Sequence, residues 1–151
     1  ILRLRMWGMR WKPFDGNQEQ RILACIAAAE KNTSGEIRVH VDKWCKSNPL
    51  FKANNMFIHL GMNKTEQRNG VLIYIALKEH KFAIVGDEGI DNVVPADFWD
   101  SAKSHMKNHF ASGNVIEGIC QGIKEAGEQL KQYFPYQSND QNELPDTISY
   151  G

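Results

Sequence analysis

The sequence lacks a long hydrophobic run, an excess of charge and any paired-cysteine motif. No apolar stretch approaches the roughly 20 residues that are needed to cross a bilayer. The 18 basic and 18 acidic residues balance, so no overall field would attract nucleic acid or an anionic membrane. The cysteines Cys25, Cys45 and Cys120 are widely spaced, which argues against a zinc or redox motif and favours a reducing compartment. These absences predict a cytoplasmic protein with no transmembrane segment and no nucleic-acid partner.

The length and composition favour a single domain. A chain of 151 residues with 42% hydrophobic content can fill a core without disulfides. We predict an N-terminal segment of uncertain origin at residues 1–14, a domain at 15–134 and a tail at 135–151. The first segment is basic and aromatic but has no apolar stretch of the kind found in signal peptides. The tail is polar and broken by prolines, so we expect it to be extended or disordered, and we expect the protein to be a monomer.

Four segments have the apolar spacing of an amphipathic helix. They begin near Gln18, Pro49, Pro95 and Asn114. Asp15 or Asn17 can cap the first helix, and Asn48 can cap the second. Asn114 and Glu117 are spaced for a capping box at the start of the fourth.

Three segments have the pattern of strands. Residues 36–41 alternate between apolar and polar side chains, which predicts a strand with one partly polar face. Residues 71–77 are all apolar, as in a strand covered on both faces. Residues 81–85 follow after a short turn, so they should pair antiparallel with the second strand, whereas the helix between the first two strands favours a parallel pair. The sequence therefore predicts an α/β domain with a mixed parallel and antiparallel sheet.

These strand directions would bring several acidic residues together at one edge of the sheet. Residues 34–36, 68–70 and 86–91 would meet there, and they carry the candidate metal ligands Asp87, Glu88, Asp91, Glu36 and Asn69. Carboxylate and amide oxygens suit Ca²⁺ or Mg²⁺, and without a cation the carboxylates would raise one another's proton affinity. The spacing differs from that of an EF-hand loop. A solvated acidic turn that binds no metal explains the same residues equally well.

Two histidines provide a second pattern. His105 and His109 are four residues apart in a predicted helix, the spacing at which two imidazoles can bind one zinc ion. The segment between them lacks the glutamate of a zinc-protease motif. Histidines at the rim of the core, satisfied by backbone or water, are the favoured interpretation.

The order of three short motifs resembles the TPM domain, which is found in thylakoid acid phosphatase and in many bacterial proteins. Residues 33–39 (TSGEIRV) resemble its Thr-Gly-x-x-Ile-x-Val pattern, and residues 68–73 (RNGVLI) resemble Asn-Asn-Gly-Val-Leu-Leu. Residues 81–91 (KFAIVGDEGID) resemble its strand ending in Gly-Tyr-Gly-Leu-Glu, with Asp-Glu in place of the aromatic residue and one residue more in the loop. The resemblance covers roughly Gln18 to Phe134.

The resemblance implies a three-layer α/β/α sandwich with a Rossmann-like arrangement, a divalent-cation site at the sheet edge, and the phosphatase activity of some members. A module that binds Ca²⁺ or Mg²⁺ and docks a protein partner needs the fewest special residues and is the favoured function. The alternative is a metal-assisted acid phosphatase acting on phosphomonoesters, in which Arg68 would contact the phosphate. The sequence has neither a Cys-x5-Arg phosphate loop nor an Asp-x-Asp nucleophile pair. No catalytic residue is therefore assigned from the sequence.

Overall fold

A computed structural model describes residues 11–137, 143–144 and 146–151. Most of the N-terminal segment predicted at 1–14 lies outside the described residues. Within the described part of the chain, no helix is both long and apolar enough to span a membrane.

The centre of the fold is a four-stranded sheet. Its strands are β1 (Glu36–Asp42), β2 (Gly70–Ala76), β3 (Lys81–Gly86) and β4 (Ile148–Tyr150), in the order β3-β2-β1-β4. β1 pairs parallel with β2, and β2 pairs antiparallel with β3. The predicted mixed sheet is confirmed. β4 lies parallel to β1 on its other side and comes from the tail, where the sequence pattern predicted no strand.

Over the described residues, five α-helices cover the two faces of the sheet. They are α1 (Gly16–Glu30), α2 (Pro49–His59), the four-residue α3 (Glu88–Asp91), α4 (Asp100–Ala111) and α5 (Val115–Leu130). α1, α4 and α5 share one hydrophobic core with the apolar side chains of β1 such as Val39. α2 packs on the opposite face, where Phe57 joins Leu72 and Val85 in a second core. Apolar residues on both faces of β2 thus produce the predicted three-layer α/β/α sandwich.

The predicted start of a helix is confirmed where the capping residue lies next to that start in the sequence. Asp15 and Gln18 form a capping box at the start of α1, and Asn48 caps α2. α4 begins at Asp100 rather than near Pro95, because residues 96–99 form turns that pack the Phe98 and Trp99 rings edge to face.

The predicted capping box of the fourth long helix, now α5, is wrong. Asn114 makes no side-chain cap hydrogen bond there. Glu117 instead forms an ion pair with Arg21 on α1. An interaction between helices has replaced the local one.

Candidate functional site

The backbone brings the three predicted segments to one edge of the sheet. Glu36 is paired with Gly70, and its amide donates to the Asn69 carbonyl at 3.3 Å. On the other side of β2, the Asp87 amide donates to the Gly70 carbonyl at 2.9 Å. Glu36, Asn69 and Asp87 therefore lie along the same edge, as the strand directions predicted.

The acidic loop after β3 is held by an arginine. The Arg68 guanidinium donates from Nε and Nη2 to the two oxygens of Asp87, at 2.8 and 2.9 Å, and from Nη1 to Glu88 Oε1 at 2.9 Å. These contacts raise the pKa of Arg68, above all through Asp87. Partial burial, followed by the charge of Asp87, raises the pKa of Asp91. We call Arg68, Asp87, Glu88 and Asp91 the Arg68 cluster; in it one guanidinium pairs with two carboxylates.

A second acidic group surrounds the start of β1. Glu36 is 4% exposed, and its Oε1 accepts the amide of Glu143 at 2.6 Å, while its Oε2 is buried without a hydrogen-bond partner among the described residues. The side-chain nitrogen of Asn69 donates to Ser34 at 3.4 Å, and its Oδ1 is likewise buried and unpartnered within the described ranges. Burial raises the pKa of Glu36; the amides of Glu143 and Leu144 oppose this increase, and the charges of Glu143 and Asp146 add to it. Its carboxylate therefore belongs with the tail rather than with the Arg68 cluster.

Glu30, at the end of α1, is part of this second group and was missed by the sequence analysis. Its Oε2 accepts the amide of Ile37 at 2.9 Å. Burial, together with the nearby carboxyls of Asp146 and Glu36, raises the pKa of Glu30 to about 9. Glu30 is consequently protonated at neutral pH. The helical pattern around Glu30 did not predict this role, because the residues that contact Glu30 come from β1 and the tail.

Replacing Glu30 with glutamine should change how stability depends on pH. The folded-state pKa of Glu30, about 9, lies above its unfolded value of about 4.3. Its contribution to stability is therefore complete below the unfolded pKa and is lost as pH rises through the folded pKa. Glutamine stays neutral, so the melting temperature of Glu30→Gln relative to wild type should rise by at least roughly 5 °C between pH 5 and pH 9. Thermal unfolding at pH 5, 7 and 9 measures this.

The matched control for this prediction is Glu128→Gln, which changes an exposed carboxylate on α5. Its melting temperature should follow that of wild type at all three pH values. If Glu30→Gln also followed wild type, Glu30 would titrate normally and the grouping of carboxyls would have no effect on stability.

A buried polar network lies further along β1. His40 is fully buried; its Nε2 lies 2.7 Å from Asp42 Oδ1, and its Nδ1 lies 2.8 Å from the hydroxyl of Ser149. The Tyr74 hydroxyl donates to Asp42 Oδ2 at 2.7 Å, and the Tyr74 ring stacks on His40 with centroids 5.8 Å apart. Burial opposes ionisation of Asp42, but the hydrogen bonds from His40 and Tyr74 outweigh it, and the pKa of Asp42 is lowered. His40 belongs to the strand face that the sequence predicted to be partly polar.

The predicted metal ligands do not form one compact group. Asp87 and Glu88 contact Arg68, whereas Glu36 faces the tail. Over residues 11–137, 143–144 and 146–151, no group of three or more His, Cys, Asp or Glu side chains is placed to hold a metal ion. His105 pairs with the carboxylate of Glu125 at 2.8 Å. Glu36 Oε2 and Asn69 Oδ1 are the two side-chain oxygens at this edge that are buried without a hydrogen-bond partner among the described residues.

Comparison with known proteins places this geometry in a family. The TPM domain matches residues 12–129. The NMR structure of the BA42 protein from the psychrophilic bacterium Bizionia argentinensis is 42% identical, with a TM-score of 0.88 and coverage of 95% of this chain and 99% of that chain. The solution NMR structure of the N-terminal domain of the cg2496 protein from Corynebacterium glutamicum is 12% identical with a TM-score of 0.62, over 90% of this chain and 80% of that chain, which shows a shared fold. No curated protein matches the chain. The chain belongs to the TPM-domain family.

Proposed function

We propose that this protein is a divalent-cation-binding module, with Ca²⁺ or Mg²⁺ held at the sheet edge by Glu36 and Asn69. The observation that supports this is the pair of buried oxygens, Glu36 Oε2 and Asn69 Oδ1, that have no hydrogen-bond partner in the described part of the chain. A buried polar atom without a partner costs about 1–3 kcal/mol. Ligation of a cation would offset that cost.

The small number of protein ligands suits a hydrated ion. Mg²⁺ usually keeps several waters and binds proteins through one or two carboxylates, and Ca²⁺ accepts carboxylate, amide and water oxygens together. The raised pKa of Glu36 also supports the proposal. It arises because the carboxylate is buried and no positive charge is among the causes that act on it. A bound cation would lower that pKa and supply the charge.

The Arg68 cluster does not supply the principal ligands in this proposal. Asp87 and Glu88 could coordinate an ion only in exchange for the Arg68 guanidinium, whereas Asp91 is exposed beside them. We therefore propose Glu36 and Asn69 as the principal ligands, with Asp87, Glu88 and Asp91 as an acidic border that attracts cations to the edge.

The phosphatase alternative is less well supported by the geometry. Arg68 would have to contact the phosphate, but its Nε, Nη1 and Nη2 all donate to carboxylates. Phosphate would first have to displace Asp87 and Glu88, which carry like charge. The enzyme alternative predicts cation-dependent release of phosphate from a panel of phosphomonoesters, with loss of that activity in Asp87→Asn.

Calorimetric titration with Ca²⁺ and with Mg²⁺ tests the binding proposal. We expect heat of binding for wild type, and a stabilisation of about 2.7 kcal/mol at a cation concentration 100 times the Kd. Glu36→Gln keeps the acceptor for the Glu143 amide but removes the charge, so its affinity should fall at least tenfold. Asp91→Asn is the control and should change affinity only slightly. Absence of heat and of any thermal shift at millimolar cation would refute the proposal.

A further inference from the structure

Three side chains on the polar face of β1 contact described residues of the tail. Glu36 Oε1 accepts the amide of Glu143 at 2.6 Å. Two residues on, Arg38 Nη2 donates to the Thr147 hydroxyl at 3.3 Å. Two residues further, His40 Nδ1 lies 2.8 Å from the Ser149 hydroxyl. Three alternate side chains of one strand thus contact positions 143, 147 and 149 of the tail, a pattern that resembles peptide binding along a sheet edge.

The described backbone pairing between the tail and β1 is short. β4 has three residues, all partly exposed, and pairs through the register Val39 with Ile148 to Val41 with Tyr150. The Gly151 amide adds one bond to the Val41 carbonyl at 3.1 Å. A short edge strand of this kind opens at low cost relative to the rest of a domain.

Side chains from the body of the domain complete the contact surface. The Tyr150 hydroxyl donates to Glu19 Oε1 at 2.9 Å, and its ring meets Trp11 edge to face with centroids 6.5 Å apart. Leu144 packs against the core beneath α2. The tail therefore places one aliphatic and one aromatic side chain on apolar surface and presents two hydroxyls between them.

His40 is also held by two residues from the body of the domain. Asp42 binds both the Tyr74 hydroxyl and His40 Nε2, and the stacked Tyr74 ring sets the plane of the imidazole. Arg38 Nε is buried with no partner in the described ranges, so the tail leaves one donor of this surface unused. A preorganised surface of this kind loses little entropy when a peptide binds.

We propose that the edge of β1 is a peptide-binding site, which the chain's own tail occupies in cis. The partner is an extended segment of another protein, running parallel to β1, with hydroxyl residues two apart and an aromatic residue after the second. Thr147, Ser149 and Tyr150 present that pattern from within the chain. Because a tethered segment has an effective concentration in the millimolar range, it would compete with the partner and keep the site closed.

A fluorescence-polarisation experiment tests this with a labelled peptide of residues 143–151 (ELPDTISYG). The proteins are the full chain and its Ser149→Ala/Tyr150→Ala variant, which weakens the tail but leaves β1 unchanged. Both are measured in EDTA, so that a failure of cation binding has no influence on the result. The peptide should bind the variant at least tenfold more tightly than wild type, because cis competition is reduced.

Two controls separate recognition from non-specific attachment. A peptide with alanine at the positions of Thr147 and Ser149 should bind the tail variant at least tenfold more weakly. Arg38→Gln in the tail variant should also weaken binding of the original peptide. Equal binding of both peptides, or no binding to a tail variant with an unchanged circular dichroism spectrum, would overturn the proposal.

Hydrogen exchange of wild type covers the case in which the tail variant fails to fold. The Gly151 amide, bonded to Val41, should exchange at least tenfold faster than amides of β2 if the tail opens by itself. Exchange at the same rate as β2 would mean that the tail is inseparable from the domain and would overturn the proposal. A dimer in which the tails are exchanged at high protein concentration would assign the site to a second copy and would equally overturn it.

Discussion

Asp42→Ala should unfold at a melting temperature roughly 10 °C below that of wild type. Asp42 is 5% exposed and accepts from both His40 and Tyr74, at 2.7 Å each. Its removal leaves a buried hydroxyl and a buried imidazole nitrogen without a partner, and breaking a buried charged network in this way costs about 3–5 kcal/mol. For a domain of this size each kcal/mol corresponds to roughly 2–4 °C.

Tyr74→Phe is the matched control for Asp42→Ala. It removes one hydrogen bond to Asp42 and leaves the ring stacked on His40, so it should cost only about 1 kcal/mol. Differential scanning calorimetry of the two variants at pH 7 measures both effects. Equal losses in the two variants would mean that Asp42 and His40 contribute nothing beyond the tyrosine hydroxyl.

The loss in Asp42→Ala should also depend on pH. The folded-state pKa of Asp42 is lowered below its ordinary value, because the hydrogen bonds from His40 and Tyr74 outweigh burial. A lowered carboxyl pKa contributes stability that is present above the unfolded pKa and is lost as pH falls through the folded pKa. The difference in melting temperature between wild type and Asp42→Ala should therefore become smaller below about pH 4.

The strand directions could be predicted because they depend on local features. A short turn between β2 and β3 enforces an antiparallel pair, and the crossover through α2 favours a parallel one. β4 could not be predicted in the same way. Ile148–Tyr150 is only three residues long, too short for a period of two to be recognised, and its register is set by contacts to Arg38 and His40 that no local pattern records.

The candidate site was predictable to the level of the backbone. Glu36, Asn69 and Asp87 share an edge because the strand order places them there. The partners of their side chains were not predictable, since Arg68 could have faced a phosphate as readily as Asp87. Glu30 joined the site through tertiary packing alone, at the end of a helix whose sequence gave only its amphipathic period. Side-chain pairing between distant segments depends on tertiary packing and on which charges come close together. Neither can be read from a single sequence.

The loop that carries Asp87 depends on a close backbone approach at Gly89. A Cβ at this position would lie 2.3 Å from the Gln67 carbonyl oxygen and 2.5 Å from that of Arg68. The Gly89 amide also donates to the Arg68 carbonyl at 2.9 Å. The obstructing atoms are backbone, so an added methyl group can be accommodated only if the loop moves away from β2.

Gly89→Ala should consequently lower the melting temperature by roughly 5 °C or more, because overpacking against backbone costs about 1–3 kcal/mol and the hydrogen bond is lost as well. Gly16→Ala is the control: it also replaces a glycine in a helix, but a Cβ there would meet nothing within 4 Å, so alanine should be neutral or slightly stabilising. The Arg68 Nε–H resonance reports whether the ion pair with Asp87 survives, and we expect its chemical shift to move in Gly89→Ala alone. Equal melting temperatures for the two variants, with an unchanged Arg68 resonance, would show that the loop can yield at no cost and that the contact at Gly89 does not position the carboxylates at this edge.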